Sequence, residues 1–347
     1  MKLSDLGEFG LIDRLSRDLI NRPGEVVQGI GDDAAVLNLE GPWWLLFTTD
    51  MLVEGVHFSL DYATPAQVGI KTVAVNVSDI AAMGGWPAHG VVSLGLPTRL
   101  SVEEVEELYQ GIRRAAGEYG LNIVGGDTVM SPERLVINLA LLGFVEKGRA
   151  VYRSGARVGD LIYVTGSLGK SAAGLYLCQH PDLTIDPGMA AFLKRAHLEP
   201  RARLRAGRIL SSAGVTAMDD VSDGLAAELR EICRASGVGC RVRAGDIPVD
   251  YRVRTVAAMA NHNPLDWAFS GGEDFELVFT VPPGKARGVE ERLAAAGEEC
   301  RCIGEIIPAE KGMVLELAGG RCIPLEARGY DHFASSQRVL PRPAHRL

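Results

Sequence analysis

The sequence predicts an α/β or α+β protein of two domains, and three observations carry this prediction. Strand-like and helix-like segments alternate along most of the chain, its 347 residues suffice for two hydrophobic cores, and a basic, glycine-bearing stretch at residues 146–160 interrupts the alternation. We therefore expect a first domain at residues 1–148, a second at residues 149–335 and a loose polar tail at residues 336–347.

The first domain contains apolar runs that predict strands and two segments with a helical period. The strands are expected at residues 34–39, 43–50, 89–97, 121–127 and 134–145, and the helices at residues 65–83 and 101–120. Thr64 and Pro65 form a typical helix start. Ser101 with Glu104 forms a capping box, and Gly120 is expected to end that helix.

The second domain repeats the alternation. Strands are expected at residues 161–166, 215–223, 241–249 and 275–281, with helices within residues 168–212 and at 224–237, 255–262 and 285–297, followed by two short strands. This order favours a sheet with packed helices.

The composition excludes several classes of function. A formal net charge of −8, from 44 acidic and 36 basic residues, argues against a nucleic-acid partner. We expect no membrane association, because the start of the chain lacks the apolar core of a signal peptide and no apolar run reaches membrane-spanning length. The 6 cysteines form no C-x-x-C pair, so we expect reduced thiols, no zinc site and a cytoplasmic location.

A Gly-Lys-Ser sequence follows the strand expected at residues 161–166 and raises the question of a P-loop. In that motif four residues separate the first glycine from the Gly-Lys pair, which lets backbone N–H groups surround a phosphate. Here only Ser167 and Leu168 lie between Gly166 and Gly169. We therefore expect a strand-to-helix turn and an exposed Lys170.

Acidic residues recur along the chain, almost all of them beside glycines or at expected strand ends. They are Asp32, Asp33, Asp50, Asp79, Asp127, Asp219, Asp220, Asp223, Glu273 and Asp274. A single aspartate in a glycine-rich turn is more often a backbone cap than a functional group. The whole set, gathered along one edge, would repel itself unless cations were bound there. Carboxylates without a His/Cys cluster favour magnesium over zinc, and magnesium commonly completes its coordination with substrate phosphates.

The helix at residues 65–83 permits a geometric test. Its buried stripe is expected to comprise Ile70, Val73, Val77 and Ile80. Asn76 and Asp79 project together from another face, which is either part of a site or an ordinary solvated face. Further along, Ser222 is expected to N-cap the helix at residues 224–237. His57, Arg153 and the aromatic stretch at residues 329–333 indicate no role by pattern alone.

These motifs, taken in order and spacing, resemble those of the thiamine-monophosphate kinase family. That family lies in the superfamily of aminoimidazole ribonucleotide synthetase, selenophosphate synthetase and the hydrogenase-maturation dehydratase. The resemblance covers essentially the whole chain and rests on "GIGDDAAVL", "TTDMLVEGVHF", "NVSDIAAMGG", "GGDT", "RSGARVGD", "VSDGL", "SGGEDFEL" and "GYDHF". The second and third of these motifs are specific to the kinase.

The resemblance implies an aminoimidazole ribonucleotide synthetase-like fold and phosphorylation of thiamine monophosphate with Mg²⁺ and ATP. It also implies a homodimer whose N-terminal sheets join in a barrel. Metal-binding positions match Asp33, Thr48, Thr49, Asp50, Asp79, Asp127, Asp220 and Asp223. ATP-binding positions match Tyr109, Gly126, Asp127, Arg153 and Ser222, and substrate-binding positions match His57, Glu273 and Tyr330. Of these, Asp50, Asp127 and Asp223 are the expected catalytic residues, and Asp219 departs from a position that is more often apolar.

The chemistry expected from the residues agrees with this resemblance. Two phosphorylated reactants repel each other, and carboxylates bring them together only by holding cations. The acceptor phosphate is already ionised at neutral pH, so we expect direct in-line transfer with no phosphoenzyme. Two alternatives stay open: a sister enzyme that activates an amide or similar acceptor with ATP, and a metal-dependent binding module without turnover. The first cysteine, Cys178, and the ending "AHRL" argue against two of the sister enzymes.

Overall fold

A computed structural model describes residues 22–326 together with Ile12, Leu15 and Ile20. Two mixed sheets, each with its own helices and buried apolar cluster, make up this part of the chain. The prediction of an α/β fold is therefore confirmed. The predicted tail at residues 336–347 and Tyr330 lie outside the described residues.

The first sheet has the strand order β1-β2-β3-β6-β4-β5. Its strands are β1 (Val26–Gln28), β2 (Ala35–Asn38), β3 (Trp43–Val53), β4 (Trp86–Pro97), β5 (Asn122–Ser131) and β6 (Val136–Glu146), and its helices are α1 (Pro65–Ala82) and α2 (Val102–Tyr119). β4 and β5 pair in parallel, and the other neighbours pair antiparallel. We call these elements the first unit.

The helix starts and stops of the first unit agree with the sequence. The Thr64 side chain accepts the Gln67 N–H while Gln67 reaches back to the Thr64 N–H. Ser101 and Glu104 form the same reciprocal pair. Because these side chains satisfy N–H groups that have no partner inside the helix, both helices begin where the capping residues stand.

The prediction of one buried stripe on α1 is wrong, because the helix is buried on nearly every side. Thr72, Asn76 and Met83 are fully buried along with the expected Val73 and Val77. The reason is tertiary: α1 packs against the first sheet and α2, and also against elements of the second sheet. A polar residue on this helix must therefore find a partner inside the protein.

The second sheet has the order β13-β12-β9-β11-β7-β10-β8. Its strands are β7 (Leu161–Thr165), β8 (Ala217–Asp220), β9 (Gly239–Arg243), β10 (Leu277–Val281), β11 (Cys300–Ile307), β12 (Met313–Glu316) and β13 (Cys322–Pro324). Its helices are α3 (Lys170–Gln179), α4 (Pro187–Leu198), α5 (Leu204–Ala213), α6 (Leu225–Ser236), α7 (Tyr251–Met259), α8 (Pro264–Ser270) and α9 (Pro283–Ala295). β9 and β12 pair in parallel, and these elements form the second unit.

Three local expectations were wrong. β3 continues past Asp50 and β5 past Asp127, because each pairs with a neighbour over its whole length, so neither aspartate stands at a strand end. The strand expected at residues 241–249 stops at Arg243, where a 3₁₀ turn begins. The short helix α8 has no predicted counterpart.

The cysteines and the helix lengths can be compared with the sequence-based expectations. Every cysteine in the described part of the chain is a free thiol, two of them fully buried. Within the same residues, no helix is both long enough and apolar enough to pass through a lipid bilayer.

Candidate functional site

Three carboxylates from both units meet at one point. Asp33 lies in the turn before β2, whereas Asp219 and Asp220 end β8, and one oxygen of each lies within 4.8 Å of the others. Asp219 and Asp220 are almost completely buried. The acidic side chains from distant parts of the chain therefore lie together, as the sequence predicts.

Helix α1 brings further polar groups to the cluster. Asp79 accepts a hydrogen bond from the Thr48 hydroxyl at 2.5 Å, and the Ser78 hydroxyl donates to Asp220. The backbone N–H of Asp50 donates to the amide oxygen of Asn76 at 3.0 Å. One helix therefore fixes both the strand that carries Asp50 and the carboxylate from the other unit.

The carboxyl groups oppose one another's ionisation. Burial, and then the neighbouring Asp33, raise the pKa of Asp50 to about 6 and that of Asp220 to about 8. Burial and Asp33 likewise raise the pKa of Asp32 to about 7. For Asp79, burial followed by Asp50 and Asp220 raises the pKa well above its ordinary value. The cluster in its ionised form requires positive charge.

Arg153 supplies some of that charge. Its guanidinium lies 2.5 Å from an oxygen of Asp33 and 2.9 Å from an oxygen of Asp219. The Asp32 carboxylate accepts the backbone N–H of Arg153 at 3.2 Å. Burial lowers the pKa of Arg153, but Asp219 and Asp33 outweigh it and raise the pKa above its ordinary value. The guanidinium thus stays charged, yet it is one cation among several carboxylates.

The carboxylate oxygens that Arg153 does not contact are suitable ligands for a metal ion. Among the described residues, Asp33 Oδ2 and Asp219 Oδ1 are buried without a hydrogen-bond donor, whereas Asp219 Oδ2 faces the Arg153 guanidinium. Such atoms are rare in folded proteins because desolvation is costly. Carboxylate oxygens with nearby hydroxyls are the donors that hard divalent cations prefer, so the residues fit Mg²⁺ better than Zn²⁺.

Asp219 is a residue whose importance the sequence reasoning missed. The sequence places it among the recurring acidic residues but assigns it no role in the site, whereas its side chain is fully buried inside the cluster. The available signal was an Asp-Asp pair that ends an apolar strand, since a carboxylate in such a strand needs a partner.

A cavity of about 290 Å³ adjoins the cluster. Residues expected to bind metal, nucleotide or substrate line it together: Asp50, His57, Asp79, Ser222, Asp223 and Glu273. His57 is held by its Nδ1, which accepts the Val53 N–H at 3.0 Å. Tyr62 and His197, for which the sequence indicated no role, also line this cavity.

The loop before α6 differs from the prediction. Gly224, and not Ser222, is the N-cap of α6. The backbone N–H groups of Ser222 and Asp223 donate instead to Glu228 at 3.2 and 2.8 Å. The first turn of the helix thus reaches back to hold the loop, and this leaves the side chains of Ser222 and Asp223 on the cavity wall.

The Gly-Lys-Ser turn agrees with the rejection of a P-loop. The N–H groups of Gly169 and Ser171, at the start of α3, donate to Asp274 at 2.5 and 3.0 Å. A carboxylate thus occupies the position that a phosphate would take. The expectation of an exposed Lys170 is wrong, because its ammonium group pairs with the buried Glu276 at 3.0 Å.

Several predicted site residues do not join the cluster within one chain. Asp127 on β5 is separated from β3 by two strands. It pairs with Ser93 of β4, Ser93 pairs with Asn138 of β6, and Asn138 pairs with Met51 of β3. Three strand spacings of roughly 4.8 Å put Asp127 about 14 Å from β3. The Thr49 hydroxyl donates to Asn138 on the exposed side of the sheet. Gly126 is also exposed, and Tyr109 lines a separate groove beside α2.

Comparison with known proteins now defines the family. The model of the AIR synthase related protein N-terminal domain matches residues 31–145, and that of its C-terminal domain matches residues 157–315. A thiamine-monophosphate kinase of Bacillus subtilis is 36% identical over 330 residues, 94% of this chain and 100% of the relative. The chain belongs to the thiamine-monophosphate kinase family. A second kinase of this name, from Escherichia coli, is 38% identical over 335 residues, 95% of this chain and 99% of its own.

A solved structure of the thiamine-monophosphate kinase family is also similar. It is described as AaThiL complexed with AMPPCP and TMP. Its TM-score is 0.83 at 36% sequence identity, and the match covers 96% of this chain and 99% of that chain. The aminoimidazole ribonucleotide synthetase-like fold implied by the motifs is therefore confirmed.

Proposed function

We propose that this protein transfers the terminal phosphoryl group of ATP to thiamine monophosphate, giving thiamine diphosphate and ADP. The observation that carries the proposal is the buried cluster of Asp33, Asp219 and Asp220 beside a cavity lined by Asp50 and Asp223. A similar protein binds AMPPCP and TMP, and relatives of nearly equal length are named for this reaction. We assign the reaction to the cytoplasm, where ATP is available.

The acidic residues act as a scaffold for magnesium. We assign its binding to Asp33, Thr48, Asp50, Asp79, Asp220 and Asp223, all of them at the cluster or on the cavity wall. Mg²⁺ bound there would neutralise the carboxylates and disperse the negative charge of the transferring phosphoryl group.

The remaining chemistry belongs to side chains of the cavity. Arg153 sits beside Asp33 and Asp219 and supplies a fixed guanidinium for the nucleotide phosphates, with Ser222 on the adjacent loop. We assign the binding of the acceptor substrate to His57 and Glu273, which also line the cavity. The acceptor phosphate is ionised at neutral pH, so the chain needs no strong base, and transfer proceeds in line without a phosphoenzyme.

A homodimer accounts for the residues that one chain leaves apart. Among the described residues, no helix covers the face of the first sheet opposite α1, and this bare face carries exposed apolar side chains, among them Phe47, Met51, Val91 and Val129. Bare apolar sheet faces of this kind mark protein interfaces. We propose that two such faces join as a barrel, and that Thr49, Tyr109, Gly126 and Asp127 act in the site of the dimer. Domain boundaries at residues 148 and 335 remain part of this proposal.

The test is direct product analysis. The protein is incubated with ATP, MgCl₂ and thiamine monophosphate, and thiamine diphosphate and ADP are quantified by chromatography. Equal amounts of both products support the proposal. ADP formed only with another acceptor would favour a sister enzyme of the superfamily, and no ADP with any acceptor would favour a binding module.

A further inference from the structure

One charged side chain outside the assigned site is buried in the middle of α1. Lys71 is 2% exposed, on a helix whose other residues at this depth are mainly apolar. A buried ammonium group is tolerated only when it is paired and hydrogen-bonded. Its contacts therefore identify what the protein gains by keeping it.

Lys71 has two partners, and both belong to the cavity wall. Its Nζ lies 2.6 Å from Oε1 of Glu273 and donates to the backbone oxygen of His57 at 2.9 Å. Lys71 and His57 belong to the first unit, whereas Glu273 belongs to the second. A single ammonium group thus joins the two sides of the cavity at the residues assigned to the acceptor substrate.

Glu273 needs such support because its backbone is strained. Its φ is +57°, a region that residues other than glycine seldom adopt. Its N–H donates to the Ser222 oxygen at 2.6 Å, which ties this loop to the loop before α6. Its second carboxylate oxygen lies 3.2 Å from Nδ1 of the buried His197, which also contacts the Ser171 hydroxyl at 3.0 Å.

The charges around Glu273 support the same reading. Burial would raise the pKa of Glu273, but Lys71 and then His197 outweigh it and hold the pKa below its ordinary value. Burial and Lys71 lower the pKa of His197 and so disfavour its charged form. Lys71 is therefore the full positive charge that keeps the Glu273 carboxylate ionised and in one orientation.

We propose that Lys71 is a positioning residue for the acceptor substrate: it fixes the Glu273 carboxylate and the His57 backbone so that the two walls of the cavity bind thiamine monophosphate together. This inference rests on the proposed function. Lys71 is 2% exposed, so its ammonium group is too deeply buried to serve as a phosphate ligand.

The test is steady-state kinetics of Lys71→Met. We expect the KM for thiamine monophosphate to rise at least tenfold, with kcat within about threefold of the wild-type value and the KM for ATP unchanged. Lys71→Arg keeps the charge and should give an intermediate KM. A fall in kcat with an unchanged KM for thiamine monophosphate would overturn the inference.

A double variant tests whether Lys71 acts through Glu273. The KM of Lys71→Met/Glu273→Gln should rise by less than the product of the two single effects, because the carboxylate that Lys71 positions is already lost in Glu273→Gln. Independent, multiplying effects would contradict the inference. If Lys71→Met does not fold, Lys71→Arg replaces it in both the single and the double variant. The KM results that support or contradict the inference stay the same.

A matched control separates positioning from general stabilisation. Arg208 and Glu146 form another partly buried ion pair between the units, at 2.6 Å, away from the cavity. Arg208→Met should lower Tm and leave the KM for thiamine monophosphate unchanged. If Lys71→Met also lowers only Tm, Lys71 is structural and the inference falls. Wild-type protein that makes no thiamine diphosphate would overturn the proposed function itself, whereas active wild type with unaffected Lys71 variants overturns only this inference.

Discussion

Removing divalent cations should destabilise this protein at pH 8 and leave it nearly unaffected at pH 5. Asp50 and Asp220 lie in a buried cluster where burial and Asp33 raise their pKa values to about 6 and about 8. Between the ordinary pKa of 3.8 and these values, the folded protein binds protons that the unfolded chain releases. The free energy of unfolding of the metal-free protein therefore falls as pH rises through this window, and is lowest above it.

The magnitude follows from the size of the pKa change. For Asp50, about 6 minus 3.8 is about 2 units, and each unit corresponds to about 1.4 kcal/mol, so the cost is about 3 kcal/mol. Asp220 shares Asp33 as its neighbour, so its contribution does not simply add. For a chain of 347 residues, whose unfolding entropy is about 2.1 cal/mol/K per residue, about 3 kcal/mol corresponds to a Tm change of about 4 °C.

The assay is thermal unfolding in EDTA and in MgCl₂ at pH 5 and pH 8. In EDTA, Tm should be lower at pH 8 than at pH 5, and MgCl₂ should raise it mainly at pH 8. Asp220→Asn removes one charge from the cluster and should weaken both effects. Asp182→Asn, at an exposed position, is the control and should behave as wild type. Equal Tm values in EDTA at both pH values, with no response to MgCl₂, would refute this account of the cluster.

Three further predictions concern turnover, assembly and packing. Asp50→Asn should lower kcat by about a hundredfold or more, comparable to the loss of one electrostatic stabiliser, and near-normal kcat at saturating MgCl₂ would contradict the scheme. Val129→Asp places a charge on the bare sheet face and should shift the protein to monomers in light scattering, whereas Val158→Asp, equally exposed but elsewhere, should not. Gly111→Ala should lower stability by about 1–3 kcal/mol in chemical denaturation, since its Cβ would collide with the backbone of α1. Gly117 lies on α2 like Gly111, but its Cβ would point into open space, so Gly117→Ala should not destabilise the protein.

Local sequence signals predicted the elements of the fold well where the chain itself supplied the partner. The N-cap expected at Thr64, before Pro65, and the capping box expected at Ser101 gave correct helix starts, because each cap is satisfied within four residues. The end of β3 was misplaced because its extension past Asp50 depends on pairing with β6, about ninety residues away. The N-cap prediction at Ser222 was wrong for a related reason: the Ser222 N–H and hydroxyl donate to Glu228, and the N-cap lies two residues later, at Gly224.

The sequence predicted the chemistry of the site better than it predicted which residues form the site. Repeated aspartates beside glycines indicated a cation-binding cluster, and Asp33 and Asp220 do meet in one. The partners of buried charges were not visible, because Lys71 and Glu273 are separated by about two hundred residues and pair only when the units pack. A sequence shows that a lone lysine on an apolar helix needs a counter-charge, but many carboxylates are candidates.

The position of the cluster between the units explains why the same residues bear on both stability and catalysis. Asp33 comes from the first unit and Asp219 and Asp220 from the second, so packing the units forces like charges together. Arg153, at the connection between the units, offsets part of this repulsion by pairing with carboxylates of both. The rest remains uncompensated, as Asp33 Oδ2 and Asp219 Oδ1 show, which are buried without a hydrogen-bond donor among the described residues. Full compensation by additional arginines would stabilise the metal-free protein, but it would also occupy the oxygens that a cation requires. The site therefore keeps its affinity for cations because its own side chains leave this charge unmatched.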